Sequence, residues 1–483
     1  MAKRWWLLII LLLALFFRTY NFEKSFSFAH DQDLYSWIAK DIVVNKHLRL
    51  AGQVTSVDGV FIGPAYYYLM ALSYWIFGMN PMGAMPVVTI IGLLTVWSFY
   101  YVVKKFYGQK CGLIASFIYA VSIGTAFFDR WSVPTQPTVL WSIWFVYVIL
   151  DLYSGNKKSI PIYALLVGLV WNVHIALLPI LPIPFISYLI GNKVKNKFDK
   201  SFWKLVIISI IIFLISCSPF FIFEIKYNFS QIKSTIVAMK KELGGPTGMI
   251  KLKKVLNASG REMQQRMVWG YDNFSVEIFW IIWFVLEVLA YKSKKIGGGE
   301  IGLLNLWVFL IILAQYTSKR QVSEYYFTNL LPIFVVFLAL CLDALNAKML
   351  LVLAIIYLII NGWWLVKRSD IDHSYFYRRQ LVEYISKKVK EKGYPCISIN
   401  YIADFGVGVG FRYLFWYNGI KVVKADSEVM GYDIVIPYST SENEISKRFG
   451  RFGVIEHEDL SEINYEKCND KGLELEPLLG YTE

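Results

Sequence analysis

A succession of long apolar runs limits what this chain can fold into. They fall at 5–17, 87–103, 113–128, 139–152, 160–173, 176–190, 205–223, 276–291, 301–316, 328–342 and 349–366. Several approach the roughly 20 residues that cross a hydrocarbon core. A backbone in lipid must close its own hydrogen bonds, so the runs are expected to be helices. Composition agrees, with 56% hydrophobic and 18% charged residues in 483. A soluble globular fold is excluded.

The basic residues orient the runs. Lys3/Arg4, Lys104/Lys105/Lys110, Lys157/Lys158, the cluster between Lys193 and Lys204, Lys292/Lys294/Lys295 and Lys348 are expected on the cytoplasmic side. The excess of 49 Lys+Arg over 36 Asp+Glu, net +13, then reflects cytoplasmic loops rather than a nucleic-acid partner. The pattern closes if 63–77 lies along the outer surface and 160–190 is two short helices turning near His174. It gives a polytopic α-helical membrane protein of about 11 transmembrane helices, with 5–17 kept as an uncleaved first span because no small-x-small cleavage site follows. One face, the extracytoplasmic one, collects the loop with Asp31 and Asp33, the Asp129-Arg130 turn, the His174 turn, the loop 224–273 and the turn 318–326.

Residues 1–368 form the transmembrane unit, with a first outer loop at 18–86. Residues 369–483 are less apolar and read as a small extracytoplasmic α/β domain, with a helix over 375–391, a strand over 395–401, a helix over 407–417 and short strands over 421–423 and 433–437. Gly406, Gly408 and Gly410 lack dinucleotide-binding spacing and are read as turn glycines. Cys396 and Cys468 would face an oxidising compartment, where pairing is open to them. Cys111, Cys217 and Cys341 sit in or beside apolar runs.

Polar residues at the outer face are the candidate site. Asp31 and Asp33, in His30-Asp-Gln-Asp33, are either solvated loop acids or a catalytic pair. Lys319 and Arg320 put positive charge on the side that normally avoids it, which suits an anionic partner such as a lipid phosphate. Arg130 stands at an outer edge, where it serves either that partner or its neighbour Asp129. His174 is flanked by apolar helix on both sides, so it reads as a substrate contact or an interhelical hydrogen bond. Tyr66 and Tyr67, after Gly63-Pro64, and Tyr325 and Tyr326 read as interfacial aromatics near the site. The spelling Asp31-Gln-Asp33 permits a divalent metal, but it faces away from cytosolic nucleotides and no wider ligand cluster accompanies it.

These motifs carry a family resemblance. Their order is a short first span, Phe-x-x-Asp-Gln-x-x-x-Tyr (28–35 with Asp31), Gly-Pro-x-Tyr-Tyr-Tyr-Leu (63–69), Phe-Gly-Met-Asn-Pro (77–81), outer Arg130, the His174 turn, and Tyr-Tyr-x-x-x-Leu-x-Pro (325–332). The chain thereby resembles the GT-C glycosyltransferases, in the group of protein O-mannosyltransferases and lipid A aminoarabinose transferases. The resemblance covers about residues 1–370. It implies transfer of a sugar, with inversion, from a polyprenyl-phosphate carrier to an acceptor hydroxyl on a protein, lipid or glycan at the outer face of the plasma membrane. It makes Asp31 the base, with Asp33 as fallback, where the family's following Glu is Gln32 here. Arg130, Lys319 and Arg320 would hold the donor phosphate, and His174, Tyr66, Tyr67, Tyr325 and Tyr326 would contact substrate. No cofactor is required. A transporter or flippase of a lipid-linked or anionic substrate is the alternative, although no internal repeat is visible and the polar residues gather at one face rather than mid-membrane.

Overall fold

A computed structural model describes residues 2–55, 57–191, 199–240, 246–267, 275–318, 320–403, 410–424, 429–436, 444–457 and 465–469. Among them, five helices are long and apolar enough to cross a membrane: Pro81–Tyr107, Lys200–Lys226, Gly298–Thr317, Glu324–Asp343 and Ala347–Arg368. A sixth is the pair Gln109–Val121 and Ile123–Arg130, bent by 64°. Trp5–Thr19, Thr138–Tyr153 and Ile175–Ile190 are shorter apolar helices. Each run expected to span lies on helix, but length and composition qualify five or six of them rather than eleven. Several runs become helices of only 14 to 17 residues, such as Ile160–Val173 and Val276–Lys292. The protein is a multi-pass membrane protein.

Local chemistry sets the helix ends. Asn80, Asp199 and Asn346 each precede a long helix and accept a backbone N–H from Met82, Phe202 and Met349, satisfying amides that have no partner within the helix. Gly108, at φ +94°, ends the Ala84–Tyr107 helix in a conformation other residues resist. At the end expected to be cytoplasmic, lysines meet buried carboxylates. Lys105 donates to Asp151 at 2.6 Å, and Lys295 pairs with Asp343 beside Lys110. These pairs tie helices distant in sequence, so part of the basic excess is structural.

The C-terminal residues form a five-stranded sheet of order β2-β1-β3-β5-β4. Its strands are β1 (Ile397–Ala403), β2 (Val422–Val423), β3 (Gly431–Ile436), β4 (Lys447–Phe449) and β5 (Phe452–Glu456). β1 runs parallel to β2 and β3, while β5 pairs antiparallel with β3 and β4. The Tyr375–Lys392 helix packs on it. Cys396 and Cys468 are disulfide-bonded, with Cα atoms 5.7 Å apart. A small apolar cluster, Cys396, Val423, Val429 and Cys468, is confined to this unit, and the larger one is shared. The shared cluster runs from Phe22, Phe26, Phe28, Tyr35 and Tyr74, between the first two apolar runs, through Tyr375 and Leu381 to Tyr432 and Phe452. Fully burying each such side chain outside the membrane contributes about 1.5–3 kcal/mol. Lys24–Asp370 and Glu23–Arg379 ion pairs, both 2.9 Å, close the same seam.

Candidate active site

The helix His30–Val43 begins with the acids in its first turn, where negative charge suits the helix dipole. Asp31 and Asp33 are two residues apart and therefore about 200° apart around the axis. They face different surroundings. Asp31 lines a cavity of 560 Å³. Asp33, 7% exposed, accepts the Tyr413 N–H at 2.9 Å from the C-terminal unit. Burial pushes its carboxyl up to about 6, with that hydrogen bond and the Arg412 charge opposing the rise. Asp33 is thus not a cavity group, and the Asp-x-Asp spelling does not bring two carboxylates together. Among the described residues no group of three or more His, Cys, Asp or Glu could hold a metal.

Gln32 supplies what the sequence left open. Its Oε1 accepts the Ala29 N–H at 3.0 Å, closing the helix start, and its Nε2 donates to the Ser132 carbonyl at 2.8 Å. A glutamate could make the first bond but only its protonated form could make the second. Gln32→Glu is therefore expected to work toward the acid side. The buried carboxyl would titrate above its ordinary value of about 4.3, with the grip present below the raised value and lost as pH rises through it. A pH–activity profile that superimposes on the wild type would remove this role.

Gln315, Ser318, Arg320, Tyr325 and Tyr326 line the same cavity as Asp31. His174 lines the same space, at the break between Ile160–Val173 and the next helix. Its Nδ1 accepts the Ala176 N–H at 3.0 Å, so the neutral ring carries its proton on Nε2. Its ring lies 5.6 Å and 5.4 Å from those of Tyr325 and Tyr326. Asp31, His174, Arg320, Tyr325 and Tyr326 are therefore brought together. Lys319 lies outside the described residues.

Besides Asp33, three expected site residues are not at this cavity. Arg130, 1% exposed, donates to the Phe17 and Tyr20 carbonyls and to Ser25 Oγ. It caps the C-terminal end of the first helix, where carbonyls lack intrahelical partners. It does not pair with Asp129, whose partner is Arg18. Tyr66 shares a hydrogen bond with Ser132 Oγ at 2.8 Å, and Tyr67 Oη accepts the Gln53 N–H at 3.1 Å. Both are buried and hold wall segments rather than lining the cavity.

One wall was not foreseen. Residues 52–55 run antiparallel to 60–62, with Gly52 donating to the Ile62 carbonyl at 2.7 Å and Thr55 to the Val60 carbonyl at 2.8 Å. Gln53, Val54, Thr55, Val57, Val60, Phe61 and Ile62 line the cavity. Trp171 Nε1 donates to the Phe61 carbonyl at 2.7 Å, and Gln231 Oε1 accepts the Phe61 N–H at 2.8 Å. Gly63 has no room for a side chain, since a Cβ there would lie 2.3 Å from Asn172 Oδ1. The Gly63-Pro64 pair was the available signal for this close approach. Trp131, Val133, Pro134 and Thr135 also line the cavity, and Thr235 enters from the helix Ser230–Lys240.

Comparison with known proteins bears on this geometry. Residues 62–223 match the family of dolichyl-phosphate-mannose-protein mannosyltransferases. That match begins after Asp31. No curated protein sequence matches the chain. Among solved structures, the crystal structure of ArnT from Cupriavidus metallidurans bound to undecaprenyl phosphate superimposes with a TM-score of 0.62 at 10% identity, covering 93% of this chain and 97% of that one. The apo form gives 0.59 at 9% identity, with 94% and 98% covered. The likeness read from the order of the motifs is upheld, and the fold is the GT-C glycosyltransferase fold.

Proposed function

We propose that the protein is an integral-membrane glycosyltransferase that moves a sugar from a polyprenyl-phosphate carrier to an acceptor hydroxyl, with inversion. Asp31 is the base. The observation that carries this is that Asp31 lines one cavity with Ser318, Arg320, Tyr325, Tyr326 and His174. A carboxylate thus shares a confined space with a guanidinium and several neutral hydrogen-bond donors. The similarity to a fold solved with undecaprenyl phosphate bound supports the same donor class.

The chemistry needs little more. The acceptor oxygen attacks the anomeric carbon as its proton passes to the Asp31 carboxylate. The bond from that carbon to the phosphate oxygen breaks, and its electron pair leaves with the carrier. A phosphate departs as a stabilised anion, so no general acid is required, and one placed base suffices. The charge growing on the phosphate is met by Arg320, with Lys319 beside it in sequence, and by the hydroxyl and imidazole donors. No cofactor enters this scheme. Residues 1–368 carry the transfer machinery and 369–483 form an outer unit. The Cys396–Cys468 disulfide suits an oxidising compartment and supports an extracytoplasmic active site in the plasma membrane.

The test is reconstitution in proteoliposomes with dolichyl-phosphate mannose and undecaprenyl-phosphate-linked sugars as donors. Release of carrier phosphate coupled to an inverted glycoside product is expected, and carrier translocation without bond cleavage would overturn the reading. Neutralising Lys319 and Arg320 together should raise the donor KM by about 10–100-fold, the worth of a charge-assisted hydrogen bond or two. The acceptor KM should change far less, and an unchanged donor KM would remove the phosphate role.

A further inference from the structure

Five consecutive residues, Ala29 to Asp33, are held from two sides. From the membrane bundle, Gln32 donates to the Ser132 carbonyl. From the C-terminal unit, Asp33 accepts the Tyr413 N–H, and Gly410 packs directly on the Ala29 backbone. A Cβ at Gly410 would lie 2.7 Å from the Ala29 carbonyl carbon, and its φ of +64° already favours glycine. Tyr413 itself is anchored, since its hydroxyl donates to the Met79 carbonyl at 2.8 Å and its ring lies 5.8 Å from that of Trp37. Residues 410–413 therefore form a rigid surface fitted to one helical turn, which is the turn that carries Asp31.

We infer that the C-terminal unit is a working part of the transfer site, with Asp33 as the positioning residue through which Tyr413 fixes Asp31. The inference rests on the proposed role of Asp31. It assigns Asp33 a task distinct from that of a base, because the side chain that accepts from Tyr413 points away from the cavity. It also assigns the outer unit a task within the reaction. A turn free to rotate or slide would move the Asp31 carboxylate relative to the cavity. Displacing a catalytic group by about 1 Å can cost on the order of 10²-fold in rate.

Asp33→Ala, Asp33→Asn and Gly410→Ala, each in the full-length chain, separate the possibilities. Hydrogen exchange over residues 29–36 reads the grip without substrate. It should speed up in Asp33→Ala and Gly410→Ala, while Asp33→Asn, whose side-chain oxygen still accepts from Tyr413, stays near wild type. With a donor that supports wild-type transfer, Asp33→Ala and Gly410→Ala should lower kcat by about 10–100-fold with donor KM nearly unchanged. Asp33→Asn should recover to within about fivefold, the difference between a charged and a neutral acceptor. Asp33→Asn as inactive as Asp31→Asn would make Asp33 a base and overturn the inference. Unchanged exchange and kcat in Gly410→Ala would also overturn it, by making the contact merely structural. If Asp33→Ala does not fold, the other two variants decide. If Asp31→Asn retains full transfer, the reading of Asp31 fails, and the exchange measurement still decides whether the grip exists.

Discussion

Asp31→Asn is expected to lower the rate of sugar transfer by about 10²–10⁴-fold, the range that a placed general base contributes. The substitution keeps the size and shape of the side chain but removes its ability to take the acceptor proton. It should leave the fold intact, because Asp31 lines the cavity and the helix start is held by its neighbours Gln32 and Asp33. The loss of one first-turn charge costs the helix only about 0.3–1 kcal/mol. Donor binding should persist, since the substitution leaves Ser318, Arg320, Tyr325 and Tyr326 of the cavity in place. The decisive measurement is single-turnover transfer in proteoliposomes, alongside binding of undecaprenyl phosphate to the same preparation. Lost turnover with retained binding supports a base. Wild-type turnover would sink the assignment, and lost binding with lost turnover would move Asp31 into the donor site.

The parts of this site that were legible in the sequence are those fixed by local rules. Apolar runs mark helices wherever they occur, because the backbone in lipid has no other partner. The order of the polar turns brought Asp31, His174, Arg320, Tyr325 and Tyr326 to one cavity. What escaped depends on direction and on return contacts. Asp129 and Arg130 are adjacent, yet their side chains diverge by about 100° on a helix, so one meets Arg18 and the other caps the first helix. Asp31 and Asp33 diverge in the same way. The antiparallel pairing of 52–55 with 60–62 has too little alternation to announce itself, and Trp171 and Gln231, which come back to hold Phe61, are distant in sequence. The shared core between the segment after the first apolar run and the C-terminal sheet joins residues more than 300 positions apart, such as Phe26 and Tyr375. No window along the chain contains that information.

The largest stability effect is expected from Asp129. Arg18, 1% exposed, meets the Asp129 carboxylate through Nη2 at 2.6 Å and Nε at 2.8 Å. Tyr119 Oη donates to the other carboxylate oxygen at 2.8 Å, and Arg18 Nη1 donates to the Ala120 carbonyl at 2.9 Å. The pair is also enclosed, since a Cβ on Gly92 would lie 2.7 Å from Arg18 Nε and 2.9 Å from Asp129 Oδ2. Such a pair need not stabilise the fold relative to apolar residues, because desolvating both ions offsets most of their attraction. Removing one partner is different. Asp129→Ala leaves a guanidinium buried without its counter-ion, and the expected cost is about 3–5 kcal/mol. Thermal unfolding of the detergent-solubilised protein should show a large fall in midpoint for Asp129→Ala and a smaller one for Asp129→Asn, which keeps an acceptor. The double variant Arg18→Met/Asp129→Leu should recover much of the loss, because no charge is left stranded. Equal melting of Asp129→Ala and the wild type would mean that Arg18 reaches water or another acceptor. A double variant no better than the single would mean that shape, rather than charge, governs this junction between the first helix and the bent pair.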